Sequence, residues 1–580
     1  MKKIIYIIVI AIALPVLSGC EDFLDSKSFT TKDAGSFPKS PEDANQMLTG
    51  VYAQFNQISP GEDYMFYAEF FSDERFGGGG ENDQSWQALN HLMYFSPDQF
   101  SGYWSKRYVG IARANEFLEA MERMEDFDGK TQKIGEAKFL RANWYFELVQ
   151  MMGDVPLILA MPKSAAEAVK IPPRASQEEV YKQIATDLWE AYSEMTEDVY
   201  TKYESGRATK WAAAGLIARV YLFYTGFYGK DALPREGGTI SKADAIAVLE
   251  NCMAKSGHDL LTDFRQLWSY SNTATAKEYP YVADMVTNGL VWLEGSANKE
   301  VIFVTKFSNM GTWDSGMSNY SNQMITCNGV RSQNNYESIF PMTEGWGAGP
   351  VNTNFWDKWK VDDPQDIRRV ASIYSVEEEA LDPDEYTWGG DSQMEETGLW
   401  QKKLNAIGAH LDNGTLLASF MTHPDYVGGS RYTDYQLEHG TDIIRIRFAD
   451  ILLMHSELTG TADGMNKVRA RVGLPPVTYS LPAIQKERQY ELCFEALRWG
   501  DIRRWGIAED VLGNIYGVAI KNNERPTVMK PQSPGGVVQR YKDTKCFMNI
   551  PQREIDLSNG EYKQNAGWDI PSANFVQWVD

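Results

Sequence analysis

Cysteine is scarce in this chain, and its spacing excludes two common structural uses of the residue. Only five cysteines occur among 580 residues. Beyond Cys20 they are Cys252, Cys327, Cys493 and Cys546, which are too scattered for a disulfide framework or a zinc site. We therefore expect these side chains to be buried thiols.

Motifs of common catalytic and metal centres are missing as well. The six histidines form no His-Glu-x-x-His pair, no Gly-x-Ser-x-Gly elbow occurs, and no Lys-Ser or Lys-Thr follows the glycines of "FGGGGENDQ". That glycine run predicts a mobile surface loop. The carboxylates of "DPDEYTWGGD" could bind calcium, but they lack the spacing of a dedicated ligand loop. We expect no cofactor, with a structural Ca²⁺ at this loop as the alternative.

Positive charge is in short supply. The chain has 56 lysines and arginines against 79 aspartates and glutamates, which gives a formal net charge of −23. Such a surplus of carboxylates disfavours contact with nucleic-acid phosphates and with anionic lipid. The composition therefore argues against a nucleic-acid-binding protein, and it leaves the identity of the partner open.

A long apolar run opens the chain, and nothing after Cys20 resembles a transmembrane helix. Lys2 and Lys3 precede an aliphatic stretch over residues 4–16, which is too short to span a bilayer and is typical of an export signal. "LSGC", residues 17–20, matches the bacterial lipobox, whose cysteine sulfur receives a diacylglycerol. We predict that Cys20 is the lipid-anchored first residue of the mature chain. An ordinary signal peptide with an accidental cysteine is the alternative.

Helical periodicity characterises residues 41–270 and returns from "DIIRIRFADILLMHSEL" onward. Ser40 is a predicted N-cap, and Ser176 with Glu179 forms a predicted capping box. "RATKWAAAGLIARVYLFYTGFYG" is apolar on nearly all sides, and its small residues would let neighbouring backbones approach closely. Short connections between helices favour antiparallel hairpins. Residues 271–440 are rich in Gly, Asn, Ser, Asp and Trp, and this composition predicts functional loops.

A charged series near the C-terminus invites a catalytic interpretation. Within the predicted helix "LPAIQKERQYELCFEALRWGDIRRWG", Glu491 and Glu495 would lie one turn apart and could be offered as an acid/base pair for glycoside hydrolysis. Hydrolases usually take their two carboxyls from different elements, so we favour structural ion pairs at helical spacing. The residues of this series are Glu487, Arg488, Glu491, Glu495, Arg498, Asp501 and Arg503.

Several segments together resemble the SusD/RagB family of surface lipoproteins. They are, in family order after the lipobox, "GEAKFLRANWYFELVQMMGDVPLI", "TKWAAAGLIARVYLF", "IIRIRFADILLMHSEL", "ERQYELCFEALRWGDIRRWG" and "IPQREID". The resemblance covers essentially the full mature chain. Ala496 stands where we expect glycine in many relatives, and "LSNGEYKQNAGW" departs modestly from the usual asparagine-proline ending.

The resemblance implies a fold, a function and a location. The fold would be α-rich, with tetratricopeptide-like helical hairpins, extensive irregular loops and a few short strands in a single large domain. The function would be non-catalytic capture of an oligosaccharide or polysaccharide and its delivery to a SusC-like TonB-dependent transporter. The location would be the outer membrane, with a lipid anchor and the protein facing the cell exterior; Glu21, Asp22 and Asp25 resemble the acidic export signals of such lipoproteins.

These expectations divide the chain into five parts. Residues 1–19 are a predicted signal peptide, and residues 20–40 are a lipidated tether. Residues 41–270 form the N-terminal helical region, residues 271–440 a loop-rich region that contributes to ligand binding, and residues 441–580 the C-terminal region.

The segment "FSDERFGGGGENDQSW" supplies groups that suit a sugar. Asp73 and Glu74 can accept hydrogen bonds from sugar hydroxyls, and the Arg75 guanidinium can donate two parallel hydrogen bonds. Trp86 can stack on the apolar face of a sugar ring. The resemblance implies a partial glycan site here, because SusD-like proteins often build one after the first helix. Packing in the interior is the alternative for Trp86.

The loop-rich region supplies the second half of the predicted site. Trp313, Tyr320 and Trp346 lie among small polar residues that can form little core, so they are candidates for stacking. An aromatic patch packed under long loops is the alternative. Arg368, in "DDPQDIRR", could donate to a ligand. Alternatively, it could form a local ion pair with Asp363 or Asp366.

Other functions remain as alternatives. A relative of the same architecture could capture peptides, as some RagB-like proteins do. A surface glycosidase would need a carboxylate pair or metal site that the sequence does not provide. A purely structural surface protein would bind no ligand at all.

Overall fold

The computed structural model describes residues 37–308, 311–314, 317–410, 414, 416–417, 436–437, 439–576 and 578. Within these ranges helices predominate, with short two-stranded sheets and irregular segments between them, which confirms the predicted α-rich fold class. The predicted signal peptide and Cys20 lie outside the described residues. Among the residues described, no helix has both the length and the apolar character needed to cross a membrane.

Several of the N-terminal helices begin at capping residues, including the two that the sequence predicts. The N-terminal helices are α1 (Pro41–Tyr52), α2 (Tyr64–Phe70), α3 (Gln84–Leu89), α4 (Ser101–Arg123), α5 (Lys130–Met152), α6 (Ala165–Ala168), α7 (Gln177–Glu194), α8 (Lys210–Tyr228) and α9 (Lys242–Lys255). The Ser40 hydroxyl accepts a hydrogen bond from the Asp43 backbone N–H at the start of α1. Ser176 and Glu179 form the predicted capping box before α7.

Successive long helices pack against one another as antiparallel hairpins. The contacting pairs are α4 with α5, α5 with α7, α7 with α8, and α8 with α9. Helix α8 is buried along most of its length, as its uniformly apolar sequence predicts. A Cβ added to Gly215 would lie 3.0 Å from side-chain atoms of both Ile446 and Ile451, so the absent side chain permits the close approach that was predicted there.

Short elements and long loops make up the middle of the chain. The helices are α10 (Ala283–Asn288), α11 (Gln323–Asn328), α12 (Thr353–Asp362), α13 (Ile367–Ser372) and α14 (Val376–Glu379). The strands up to this point and through the loop region are β1 (Val155–Pro156), β2 (Arg174–Ala175), β3 (Leu233–Arg235), β4 (Gly238–Ile240), β5 (Val301–Thr305), β6 (Ile373–Ser375), β7 (Leu399–Gln401), β8 (Ala409–His410) and β9 (Leu416–Leu417). Antiparallel pairs join β1 to β2, β3 to β4, β6 to β7 and β8 to β9.

The C-terminal region returns to the core of the N-terminal hairpins. Its elements are β10 (Ile443–Arg447), α15 (Phe448–Thr459), α16 (Asp463–Arg471), α17 (Leu481–Leu492), α18 (Arg498–Arg504), α19 (Ala508–Val511), β11 (Ala519–Asn522), β12 (Arg525–Val528), α20 (Gly536–Asp543) and α21 (Gln552–Leu557). Helix α8 contacts both α15 and α18, and one apolar cluster extends from Ala44 to Ala573. The two ends of the chain therefore share a hydrophobic core.

Part of one predicted helix is a strand. Residues 443–447 of "DIIRIRFADILLMHSEL" pair antiparallel with β5, from Ile443 opposite Thr305 to Arg447 opposite Val301, and the helix starts only at Phe448. The β-branched residues of "IIRIR" favour a pleated conformation, and the distant strand β5 supplies the partner that completes it. This pairing ties the loop-rich region to the C-terminal region.

The predicted C-terminal helix is also interrupted. Helix α17 ends at Leu492, and the turn before α18 holds Phe494 at φ 60° and Ala496 at φ 64°. Side chains rarely adopt this left-handed conformation, which glycine adopts freely. It accounts for the expectation of glycine at position 496. Glu495 therefore lies in a turn, and the prediction that it shares a helix face with Glu491 is wrong.

The charged series forms a buried ion network, as predicted, but its partners come mainly from other elements. Arg447 of β10 donates from Nε to Glu495 at 2.7 Å and from Nη1 to Glu300 at 2.9 Å and Glu491 at 2.6 Å. Arg471 of α16 also contacts Glu300 and Glu491. All of these side chains are buried, so the network links β10, α16, α17 and the segment before β5.

Asp73, Glu74 and Arg75 lie in the interior, which corrects the prediction that they contact a ligand. Arg498 donates two hydrogen bonds, from Nε and Nη2, to the carboxylate oxygens of Asp73 at 2.7 and 2.8 Å. Arg75 is fully buried, and its Nη2 donates to the Asn328 side chain at 2.8 Å. The Phe494 backbone N–H donates to Glu74 at 3.3 Å. Long-range partners therefore hold all three side chains away from solvent.

Replacing Arg447 tests how much the fold depends on the ion network. We expect Arg447→Met to lower the free energy of unfolding by about 3–5 kcal/mol, because it leaves buried carboxylates short of a counter-charge. Urea unfolding followed by circular dichroism measures the change. The control is Lys467→Met, which removes an exposed pair with Asp259 and should cost less than about 1 kcal/mol. Equal effects of the two substitutions would contradict a central role for Arg447.

The burial of Glu74 predicts a pH dependence. Burial raises the pKa of Glu74 to about 8, despite the attraction of Arg498. A carboxyl whose pKa is higher in the folded state than in the unfolded state stabilises the fold while it is protonated. That contribution is lost as the pH rises through the folded-state pKa. The free energy of unfolding should therefore fall as the pH rises from 6 to 9. We expect this fall to be about 2 kcal/mol smaller in Glu74→Gln than in the unsubstituted protein. Identical pH profiles, with the exposed Glu42→Gln as control, would refute this protonation state.

Candidate functional site

Arg368 is held by carboxylates of the protein and does not reach the surface. It is fully buried on α13, and its guanidinium donates to Asp366 at 2.9 Å, Glu487 at 2.6 Å and Glu491 at 2.9 Å. The predicted alternative of a local ion pair with Asp366 is therefore confirmed. Arg368 is removed from the candidate ligand contacts.

The glycine run at residues 77–80 is buried, which corrects the prediction of a mobile surface loop. Gly78 has φ +56°, and a Cβ added there would lie 2.3 Å from the Gly347 carbonyl oxygen. The Gly79 N–H donates to the same oxygen at 2.9 Å. The glycines thus allow the segment before α3 to pack backbone to backbone against the loop that carries Trp346.

Trp86 occupies the surface end of this contact. It lies on α3, is half-buried, and packs edge to face on Phe66 with ring centroids 5.4 Å apart. A Cβ added to Gly61 would lie 3.9 Å from the indole nitrogen of Trp86. Trp86 therefore lies beside the turn Pro60–Glu62. One part of the indole therefore contributes to packing while another part reaches solvent.

Trp346 is fixed by hydrogen bonds from both its backbone and its ring. Its N–H donates to the Thr326 carbonyl of α11 at 2.8 Å, and its indole Nε1 donates to the Gln436 side chain at 3.0 Å. The ring is half-buried. Its orientation is consequently set before any ligand arrives, which reduces the entropy lost on stacking.

Tyr320 and Trp313 come from the segment that precedes α11. Tyr320 ends the turn Ser318–Tyr320, and its carbonyl accepts a hydrogen bond from the Ser308 N–H at 2.8 Å. Tyr320 is half-buried, whereas Trp313 is 54% exposed. Single exposed apolar side chains are normal on a folded surface, so exposure alone does not assign Trp313 to a binding site.

Helix α11 connects three of the four aromatic residues. The turn beside Trp86 contacts α11, Trp346 is hydrogen-bonded to it, and Tyr320 precedes it by three residues. Asn322 caps this helix by accepting from the Met324 N–H at 3.2 Å. We call this surface the α11 aromatic surface; its members are Trp86, Tyr320 and Trp346.

The charged groups near this surface have partners within the protein. Arg331 donates to the Trp346 carbonyl at 3.2 Å and to the Asp391 carboxylate at 2.7 Å. Arg331 also lies 3.7 Å from Asp83. It fixes the loop of Trp346 beside the glycine run and presents its remaining donors at the rim. Sequence reasoning missed Arg331, although an isolated arginine in the polar stretch "CNGVRSQNNY" could have drawn attention to it.

Metal-binding geometry is not found in the described part of the chain. No group of three or more His, Cys, Asp or Glu side chains there is arranged to hold an ion. In the loop "DPDEYTWGGD", Asp391 is paired with Arg331. The four described cysteines, Cys252, Cys327, Cys493 and Cys546, are free thiols in the interior, as predicted.

Comparisons with known proteins identify relatives of this chain. The family described as "Starch-binding associating with outer membrane" matches residues 22–222, and the family described as "SusD family" matches residues 299–568. The chain is 24% identical over 537 residues to SusD-like protein P2 of Formosa agariphila, which covers 88% of this chain and 92% of that protein.

Solved structures show the same fold. A laminarin-binding SusD-like protein has a TM-score of 0.67 at 25% identity and covers 92% of this chain and 100% of that one. Surface glycan-binding protein A from Bacteroides thetaiotaomicron, in complex with laminarihexaose, has a TM-score of 0.65 at 18% identity and covers 90% of this chain and 99% of that one. The chain belongs to the SusD/RagB family.

Proposed function

We propose that this protein is a surface lipoprotein that captures an oligosaccharide or polysaccharide and delivers it to a SusC-like TonB-dependent transporter. The observation that carries the proposal is the α11 aromatic surface, where pre-oriented rings reach solvent above a core whose charges are paired. Aromatic rings offer flat apolar faces to the C–H faces of pyranoses, while sugar hydroxyls need polar partners at the rim.

The rim of this surface carries suitable polar groups. Arg331 and Asp391 lie beside the Trp346 loop, and Gln436 accepts the indole N–H of that residue. Amides, carboxylates and guanidinium groups can each exchange hydrogen bonds with hydroxyls. The two solved relatives described above are named for glycan binding, which supports the same ligand class for this chain.

The protein is a binding protein and not an enzyme, in keeping with its family. The carboxylates that suggested a glycosidase, Glu491 and Glu495, are buried and contact Arg447. A hydrolase needs two carboxyls that flank a substrate bond and one that can donate a proton. Buried carboxylates that neutralise arginines meet neither requirement.

Delivery to a transporter and lipid anchoring complete the proposal. The family resemblance and the lipobox at residues 17–20 support an anchor at Cys20 on the outer membrane, with the binding surface facing outward. A ligand that contacts both this protein and the transporter would favour a closed complex, because a ligand shifts an equilibrium only through differential affinity. Capture of peptides is the second candidate, and the glycan panel below distinguishes the two.

Removing single rings tests glycan binding. We expect the lipid-free chain from residue 21 onward to bind one class in a panel of plant, host and microbial glycans by isothermal titration calorimetry. Trp86→Ala and Trp346→Ala should each weaken that binding about tenfold or more, because each removes a stacking platform. Trp189→Ala, a half-buried indole on α7, is the matched control and should leave binding unchanged.

Two results would contradict this part of the proposal. Glycan binding that neither substitution changes would place the site elsewhere on the protein. Binding to oligopeptides, together with silence across the glycans, would favour the peptide-binding alternative. Circular dichroism of each variant confirms that lost binding does not reflect unfolding.

Replacing the predicted anchor residue tests the location. We expect the full-length protein to incorporate labelled palmitate and to fractionate with the outer membrane, since acyl chains retain the protein at the lipid surface. Cys20→Ala should abolish the label and release the protein from that fraction, whereas the buried Cys252→Ala should do neither. Unchanged labelling of Cys20→Ala would contradict the lipobox assignment.

A further inference from the structure

Phe95 is an exposed aromatic residue that the packing of the chain does not explain. It is 51% exposed, although it follows Tyr94, which is buried against Trp568. Its backbone N–H donates to the Gln99 side chain at 2.8 Å, which fixes the turn that carries it. Sequence reasoning missed this residue; the turn residues of "YFSPDQF" next to a phenylalanine are the pattern that could have identified it.

Phe95 and Trp86 line the same cavity, whose accessible interior is about 280 Å³. Its apolar lining includes Phe66, Tyr67 and Leu89. We call this space the Trp86–Phe95 cleft. Sites for drug-sized ligands commonly measure about 300–1,000 Å³, so a cleft of this size suits a single sugar ring better than a long chain segment.

The polar groups of the cleft bond largely to one another. The Gln99 side-chain N–H donates to the Ser85 carbonyl at 3.0 Å, and its oxygen accepts from Phe95. The Tyr67 hydroxyl donates to the Gly61 carbonyl. A ligand therefore meets mainly ring faces and C–H groups here, and it places its hydroxyls toward the open side.

Among the residues that the structure describes, those lining the Trp86–Phe95 cleft carry no charged side chain. Transfer of a carboxylate or sulfate into such an environment is costly unless a counter-charge is present, whereas a neutral ring carries no such cost. Arg331, which is paired with Asp391, is not among the residues that line it. The lining of the cleft therefore offers no counter-charge to a sugar whose carboxylate or sulfate points inward.

We propose that the Trp86–Phe95 cleft is a subsite for one neutral pyranose, next to the α11 aromatic surface and sharing Trp86 with it. This inference rests on the proposed glycan-binding function and adds the charge class of the sugar and a new contact residue. Phe95 supplies a second apolar wall for the ring, so uronic acids and sulfated sugars are disfavoured at this position.

The test compares neutral and anionic oligosaccharides by isothermal titration calorimetry. The neutral probes are hexasaccharides of glucose and of mannose with different linkages, and the anionic probes are oligogalacturonate and oligomannuronate of the same length. We expect binding to a neutral probe, about tenfold weaker binding by Phe95→Ala, and no binding of the anionic probes. Leu381→Ala is the matched control, since Leu381 is an apolar side chain with 61% exposure that does not line the cleft.

The outcomes separate this inference from the proposed function. Neutral-glycan binding that Trp346→Ala weakens and Phe95→Ala leaves unchanged would overturn the subsite and preserve the function. Binding of an anionic probe that Phe95→Ala weakens would overturn the assignment of a neutral ring. Silence of the unsubstituted protein toward all glycans would overturn both. Because Phe95 is half-exposed, Phe95→Ala should fold, and its melting temperature checks this.

Discussion

The buried ion network centred on Arg447 is the constraint on which the rest of the structure depends. A guanidinium removed from water is tolerated only where carboxylates and carbonyls surround it. Arg447 meets that condition with Glu300, Glu491 and Glu495, which come from segments far apart in the chain. The folded state must therefore bring together β10, the start of β5 and the turn after α17. Geometry of this kind favours one arrangement of the loop-rich region over its alternatives.

The same principle guides the proposed placement of the ligand. Asp73, Arg75 and Arg368, which looked suited to sugar hydroxyls, are each paired inside the protein, so their hydrogen-bonding capacity serves the fold. The surface above them is left to aromatic rings such as Trp86 and Trp346, which are positioned by backbone contacts to rigid elements. A division of this kind, with charges inside and rings outside, suits a ligand that is apolar on its faces and polar at its edges.

Local patterns predicted the helices well, because their determinants lie close in sequence. Ser40 and Ser176 cap helices through residues three positions away. Burial could not be predicted in the same way. Arg368 is buried because Glu487 and Glu491 reach it from more than one hundred residues away, and the strand at Ile443 exists because β5 offers a partner. The aromatic candidates were predicted from composition. The turn residues around Phe95 indicate its local conformation, but its exposure depends on tertiary packing.

The environment of Glu491 shows why a residue that fits a catalytic sequence pattern can have a structural role in a binding protein. Burial alone would raise the pKa of Glu491, yet Arg471, Arg447 and Arg368 together hold it well below its usual range. A general acid needs the opposite: a carboxyl that keeps its proton near neutral pH and can reach the substrate. Glu491 keeps its charge because its charge stabilises the fold. Its role is therefore structural: it completes a network that joins β10, α16, α17 and the segment before β5.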